Sequence, residues 1–191
     1  EKNLHFLASL DVLPDDKIPS IMARIHFQAE PEADQALSRA DFIFEGVPEV
    51  LKIKEPALDR ISQVNEQAVI ASTTSTMLVT RLADFVHNPA RFLNAHWLNP
   101  AYLIPLVEVS PGPATARETA ASLMTLLKRV GKRPVRCAAR PGYIVPRLQA
   151  AAMNEAVRMV EEGVASPAEI DEAVRVGFGV RYATMGLIEF I

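Results

Sequence analysis

"FLNAHWLNPAYLIPLVEV", residues 92–109, is a pair of short apolar runs parted by a proline-bearing turn, and each run carries one ionisable group. "FLNAH" (92–96) and "PLVEV" (105–109) have the length and composition of strands, and Asn99-Pro100 breaks the first soon after His96. That break puts the imidazole at a loop mouth rather than in the middle of a sheet. Glu108 stands between Leu106-Val107 and Val109, where an unpaired carboxylate is costly to bury. A histidine partner relieves that cost and fixes the imidazole tautomer, as in a general base with an orienting carboxylate. The plainer arrangement is a strand-end histidine satisfied by a backbone carbonyl and a glutamate at a sheet edge. The two residues alone leave both open.

Working outward, "DFIFEGV" (41–47), "AVIAS" (68–72) and "RPVRCA" (133–138) are further strand-length runs. Between the first two, "PEVLKIKEPALDRISQVNE" (48–66) reads as helix, with Pro48 at its start and Pro56 kinking or restarting it. Thr115-Ala-Arg-Glu118 has the capping-box pattern that opens a helix over "RETAASLMTLLKRV" (117–130), and Gly131 closes it. Residues 1–40 are charged and weakly patterned, helical around "DDKIPSIMARI" (15–25). Strands alternating with helices predict an α/β sheet, largely parallel in its first part. The pattern changes near Pro141. Ile144 to Glu162 reads as one long helix ending at Gly163, and Ser166-Pro-Ala-Glu169 caps another that reaches Val176. "GFGVRYATMG" (177–186) is expected to be loop. The expected division is therefore an α/β domain over 1–140 and an all-helical one over 141–191.

Composition excludes several classes. The chain has 191 residues, 49% hydrophobic and 23% charged, with a formal charge of −3, which is ordinary globular make-up. No Lys/Arg stripe runs along a helix, which argues against nucleic acid as a partner. A single cysteine, Cys137, forbids an internal disulfide and suits a reducing, cytoplasmic setting. No eighteen-residue apolar run is present, so no membrane span is expected. The N-terminus lacks the basic and apolar regions of a signal peptide; because it does not start with Met, the chain is expected to be a piece of a longer one.

Metal is not expected either: His5, His26, His87 and His96 show no ligand spacing, and neither CxxC nor HExxH occurs. GxSxG, a Walker loop and GxGxxG are absent, Gly177-Phe-Gly179 lacking a third glycine. "ASTTST" (71–76) ends a strand with hydroxyls where open α/β sheets bind ligands, although a helix cap accounts for it equally well. The two carboxylates of "FEGVPE" (44–49) read as solvated loop.

Taken in order, "DFIFEGVPEVLKIK" (41–54), "ASTTST" (71–76), "RFLNAHWLNPAYLIPLVEV" (91–109), "GKRPVRCAARPGYIVPRL" (131–148) and "NEAVRMVEEGVASPAEIDEAVRVGFG" (154–179) resemble the L-3-hydroxyacyl-CoA dehydrogenase family over residues 40–191. The resemblance implies a Rossmann-type NAD-binding domain followed by an all-α dimerisation domain, NAD as cofactor, a homodimer, and an acyl-CoA or small-molecule substrate. It implies His96 as the general base, Glu108 as the residue orienting it, and Ser75 as the residue bonding the reacting oxygen. Glu49, Lys54, Ser75 and Asn99 fall at positions near the cofactor.

The chain also departs from the family. Members begin with a strand, a Gly-rich turn and a helix, about forty residues that are not in this chain, and they continue past "GLIEF". NAD binding is therefore expected of the whole protein rather than of this stretch. Acyl-CoA members carry asparagine in "FIVNRL" where this chain has Pro146, which cannot make that hydrogen bond. "VRYATMG" replaces a shorter "FPMG" and is similar to the branch holding lambda-crystallin (a gulonate dehydrogenase) and carnitine dehydrogenase. Oxidation of an L-3-hydroxyacyl-CoA is the leading expectation. The same chemistry on a small free hydroxy acid is the alternative, favoured by Pro146 and by Arg181, which can pair with a carboxylate although a solvated surface arginine accounts for it more simply. A non-catalytic, crystallin-like structural role stands third.

Overall fold

The structure, a computed structural model, describes residues 1–29 and 32–189, which divide into two compact units, 1–143 and 144–191. The first unit is built on five strands in the order β1 (Phe42–Glu45), β2 (Val69–Ser72), β3 (Phe92–Trp97), β4 (Leu106–Pro111) and β5 (Arg133–Arg136). All five runs singled out in the sequence form strands. β1, β2 and β3 pair in parallel, β3 pairs with β4 antiparallel, and β4 with β5 in parallel. The reversal follows from length: the 98–105 connection is shorter than the crossover of about a dozen residues that a parallel return needs.

Strand alternation sorts the side chains onto two faces. Val69, Ala71, Leu93, Ala95, Val107 and Val109 pack against Ala120, Leu123 and Leu127 of α6 (Arg117–Arg129). Ile70 and Phe92 pack on the other face against Leu58 of α4 (Leu51–Val64) and Val79 and Leu82 of α5 (Val79–Leu82). A sheet covered on both faces buries β2 throughout and β3 up to Trp97, which is why both read as near-continuous apolar runs. Before the sheet lie α1 (Lys2–Ser9), α2 (Ile18–Met22), which falls within the expected helical stretch, and α3 (Ala33–Leu37). The Asn65 side chain donates to the carbonyls of Leu37 and Ala40 at 2.8 and 2.9 Å, tying this segment to the sheet unit.

Three local expectations are corrected. α4 begins at Leu51 instead of Pro48 and continues unbroken past Pro56. The Thr115–Glu118 capping box does not form: Thr115 Oγ1 accepts from the Gly112 N–H at 2.8 Å and donates to the Phe92 carbonyl at 2.6 Å, so its hydroxyl serves the strand ends. α6 stops as expected, with Gly131 at φ 80° while Lys132 N bonds Leu127 O at 2.9 Å.

The second unit holds α7 (Val145–Glu161), α8 (Pro167–Ala173) and α9 (Gly179–Thr184). α8 opens with the expected box, in which Ser166 Oγ accepts from Glu169 N and Glu169 Oε2 accepts from Ser166 N at 2.8 Å. The third correction falls here. "GFGVRYATMG" is largely helical: a wide π turn over Val174–Phe178 leads into α9, because Gly179 takes right-handed angles of φ −56° and ψ −45°. α7 has no buried residue, and Leu148, Met153 and Val157 stand exposed along it. Among the described residues no helix is long and apolar enough to cross a membrane, and no group of three His, Cys, Asp or Glu could hold a metal ion.

Candidate active site

His96 and Glu108 are brought together by sheet register. They are directly opposite residues of the antiparallel β3–β4 pair, and opposite residues project on the same face. His96 Nδ1 lies 2.9 Å from Glu108 Oε2, with His96 5% exposed and Glu108 fully buried. A carboxylate only accepts, so Nδ1 is the donor of this bond, and in the neutral imidazole the lone pair then falls on Nε2. The plainer arrangement of an exposed edge glutamate is thereby excluded: Glu108 is inside, and the imidazole is one of its partners.

A ring covers the imidazole. Tyr143 stacks on His96 with centroids 4.6 Å apart and planes 12° from parallel. Its hydroxyl donates to the Thr74 carbonyl at 2.8 Å and accepts from Asn94 Nδ2 at 3.1 Å. Asn94 shares the His96 face of β3 and also donates to the Met77 carbonyl at 3.0 Å. Burial pushes the Tyr143 phenol well above its usual range, so it stays protonated. Burial, with the Glu108 charge added, likewise pushes the Cys137 thiol up.

A second cluster holds the loop after β2. Glu49 Oε1 accepts from the Thr74 hydroxyl, the Ser75 N–H at 3.2 Å, the Thr76 N–H at 3.0 Å and the Thr76 hydroxyl at 2.7 Å. Burial alone would raise its pKa, but these donors and the Lys54 charge hold it down at about 2, so Glu49 is an anion across the ordinary pH range. Lys54, 1% exposed, donates to Glu45 at 2.9 and 3.1 Å and to the Val47 carbonyl at 3.3 Å, and sits 3.4 Å from Glu49. Ser72 Oγ donates to Glu45 Oε2 at 2.5 Å. Glu49 and Ser75 are thus in contact, and Lys54 is enclosed beside them.

Ser75 and Asn99 both line one open cleft of about 390 Å³ that also takes in Phe44, Thr73 and Trp97. Phe44 and Trp97 stand edge to face at 5.8 Å within it. The dyad and the loop cluster are linked through Tyr143, which stacks on one and bonds the other.

Glu45, expected in solvated loop, is instead the last residue of β1 and 2% exposed, because strand alternation turns it to the same buried face as Ile43. Asn94 and Tyr143 were not singled out from sequence, and for Asn94 a signal existed, since it lies two residues before His96 on β3 and shares its face. For Tyr143 none did, because its place over His96 depends on a turn far along the chain.

Residues 1–140 match the family model described as "3-hydroxyacyl-CoA dehydrogenase, NAD binding domain", and residues 142–191 match "3-hydroxyacyl-CoA dehydrogenase, C-terminal domain". The chain is 40% identical to an L-carnitine dehydrogenase of Burkholderia mallei over 166 residues, 86% of this chain and 51% of that protein. It is 35% identical to the mitochondrial hydroxyacyl-coenzyme A dehydrogenase of Sus scrofa over 161 residues, 84% of this chain and 51% of that protein. Its fold superposes on a solved (S)-3-hydroxybutyryl-CoA dehydrogenase from Ralstonia eutropha with a TM-score of 0.84 at 32% identity, covering 93% of this chain and 62% of that one. The chain spans about half the length of the curated relatives it matches.

Proposed function

The chain belongs to the 3-hydroxyacyl-CoA dehydrogenase family, and on that premise we propose that the whole protein is an NAD-dependent oxidoreductase of a secondary alcohol, with an L-3-hydroxyacyl-CoA as substrate. The observation that carries the reading is the buried 2.9 Å contact between His96 Nδ1 and Glu108 Oε2, which in the neutral imidazole puts the basic lone pair on Nε2. In this reading Nε2 takes the proton of the substrate hydroxyl, and the Glu108 carboxylate stabilises the imidazolium that results. NAD, when bound, supplies the acceptor for the hydride. Ser75 bonds the reacting oxygen.

The cleft of Phe44, Thr73, Ser75, Trp97 and Asn99 fits the cofactor's ring end, since it pairs aromatic walls with hydroxyl and amide groups. Glu49 and Lys54 complete the cofactor side by shaping the Ser75 loop. The α/β region over 1–140 is then the NAD-binding domain. The helical region over 141–191 contributes to a homodimer, in which the apolar residues exposed along α7 are covered.

A small free hydroxy acid is the second reading of the substrate. It is favoured by Pro146, which offers no side-chain amide, and by the 40% identity to a carnitine dehydrogenase. Against it, Pro146 is fully accounted for as a first-turn residue of α7, where a missing N–H costs nothing. NADH formation by the full-length protein, measured over a panel of 3-hydroxyacyl-CoAs and free hydroxy acids, separates the two. Turnover of free acids alone overturns the acyl-CoA assignment. A full-length His96→Gln protein with wild-type turnover and an intact circular dichroism spectrum overturns the catalytic one.

A further inference from the structure

Tyr143 does not belong to any strand or helix, yet the chain contorts to deliver it. Gly142 has φ 81° and Tyr143 itself φ 47°, two consecutive residues in the left-handed region. Glycine enters that region freely; a bulky aromatic residue does so rarely, and only where surrounding contacts enforce it. The enforcing contacts are the stack on His96 and the two hydrogen bonds of the hydroxyl.

We propose that Tyr143 is a positioning residue for the reaction: its ring fixes the plane of the His96 imidazole, and its hydroxyl ties the Ser75 loop to the strand that bears His96. The proposal rests on the assignment of His96 as base. Glu108 holds the imidazole through one ring nitrogen, and one hydrogen bond tolerates tilting of the ring plane about the Cβ–Cγ bond. A ring lying 12° from parallel at 4.6 Å closes that freedom, because turning the imidazole drives its edge into the phenol. The hydroxyl acts along a different line. It accepts from Asn94, two residues before His96 on β3, and donates to the carbonyl of Thr74, the residue before Ser75. The base and the hydroxyl on either side of the reacting oxygen are therefore referenced to one side chain. Once His96 has taken the proton, the electron-rich face of the phenol also lies against a cation.

The two functions of Tyr143 separate by substitution. Tyr143→Phe keeps the ring and loses the tether; Tyr143→Leu loses both. In the full-length protein the histidine ring signals are followed by carbon–proton NMR, and the His96 signal is identified by its loss in His96→Gln. The ring current of Tyr143 displaces the His96 ring protons upfield in the wild type and in Tyr143→Phe, and that displacement disappears in Tyr143→Leu. Misplacing a reacting group by about 1 Å costs up to about 100-fold in rate, so Tyr143→Leu should lower kcat by about 10- to 100-fold at unchanged KM for NAD. Tyr143→Phe should recover most of that loss, staying within about 10-fold of wild type, since one hydrogen-bonding group is removed.

A His96 signal that does not move in Tyr143→Leu, or a Tyr143→Leu protein with wild-type kcat, overturns the proposal. Wild-type turnover by His96→Gln overturns the base assignment and the positioning role with it. That failure is told apart because the His96 ring protons of the otherwise wild-type protein still move when Tyr143 becomes leucine.

Discussion

Replacing Glu108 by glutamine changes the charge of a fully buried group and almost nothing of its shape. In the wild type the carboxylate accepts from His96 Nδ1 at 2.9 Å, which selects the tautomer with its lone pair on Nε2. A glutamine amide accepts through its oxygen or, turned over, donates to Nδ1 and puts the proton on Nε2, where it blocks the base. The larger loss comes after proton transfer, when the imidazolium faces a neutral amide instead of an anion. A hydrogen bond to a charged group contributes about 1.5–3 kcal/mol, and each 1.36 kcal/mol is tenfold in rate. Glu108→Gln should therefore lower kcat by about 10- to 100-fold, with the KM for NAD unchanged. His96→Gln removes the base itself and should cost about 10²–10⁴-fold. Because both residues act as one unit, the double variant should be little slower than His96→Gln. The assay is steady-state NADH formation by the full-length protein, with circular dichroism to confirm folding. A Glu108→Gln protein with wild-type kcat, or one whose loss lies entirely in NAD binding, refutes the reasoning. So does a double variant that multiplies the two single losses.

Three further outcomes follow from the surrounding network. Lys54→Met leaves Glu45 without its buried cation and should cost about 3–5 kcal/mol of stability in urea unfolding, as breaking a buried pair does; a loss below about 1 kcal/mol would show the pair to be dispensable. The Glu49 carboxyl sits at about 2 in the folded protein against an ordinary 4.5, so its hold on the Ser75 and Thr76 N–H groups is complete above about 4.5 and lost as pH falls through about 2. Amide NMR shifts of Ser75 and Thr76 that instead change near pH 4.5 would sink that assignment. Thr115→Val should destabilise by about 1–3 kcal/mol through two lost backbone contacts, while Glu118→Ala should stay within about 0.5 kcal/mol; equal losses would restore the capping box.

The five strands and the long α7 were legible because each is a local pattern: apolar runs of strand length bounded by turn residues, and helical spacing between Ile144 and Gly163. The same local reading misjudged Thr115, whose hydroxyl has two chemically adequate uses. Only the approach of β3 to the 112–115 turn decides for the strand ends. It misjudged 177–186 for a related reason, because glycine permits both loop and helix and leaves the choice to neighbouring turns.

The site divides along the same line. A buried glutamate among valines demands a partner, and that demand can be read from "PLVEV" alone. That the partner is His96 follows from the short 98–105 connection, which turns the chain back and sets His96 opposite Glu108. Nothing local announces Tyr143 above the imidazole, Glu45 against Lys54, or Ser75 and Asn99 in one cleft. These pairings join residues 9 to 47 positions apart, and periodicity within one element carries no information about which elements meet. Packing and register decide that, because a side chain's neighbours across a sheet are set by strand order and not by sequence distance.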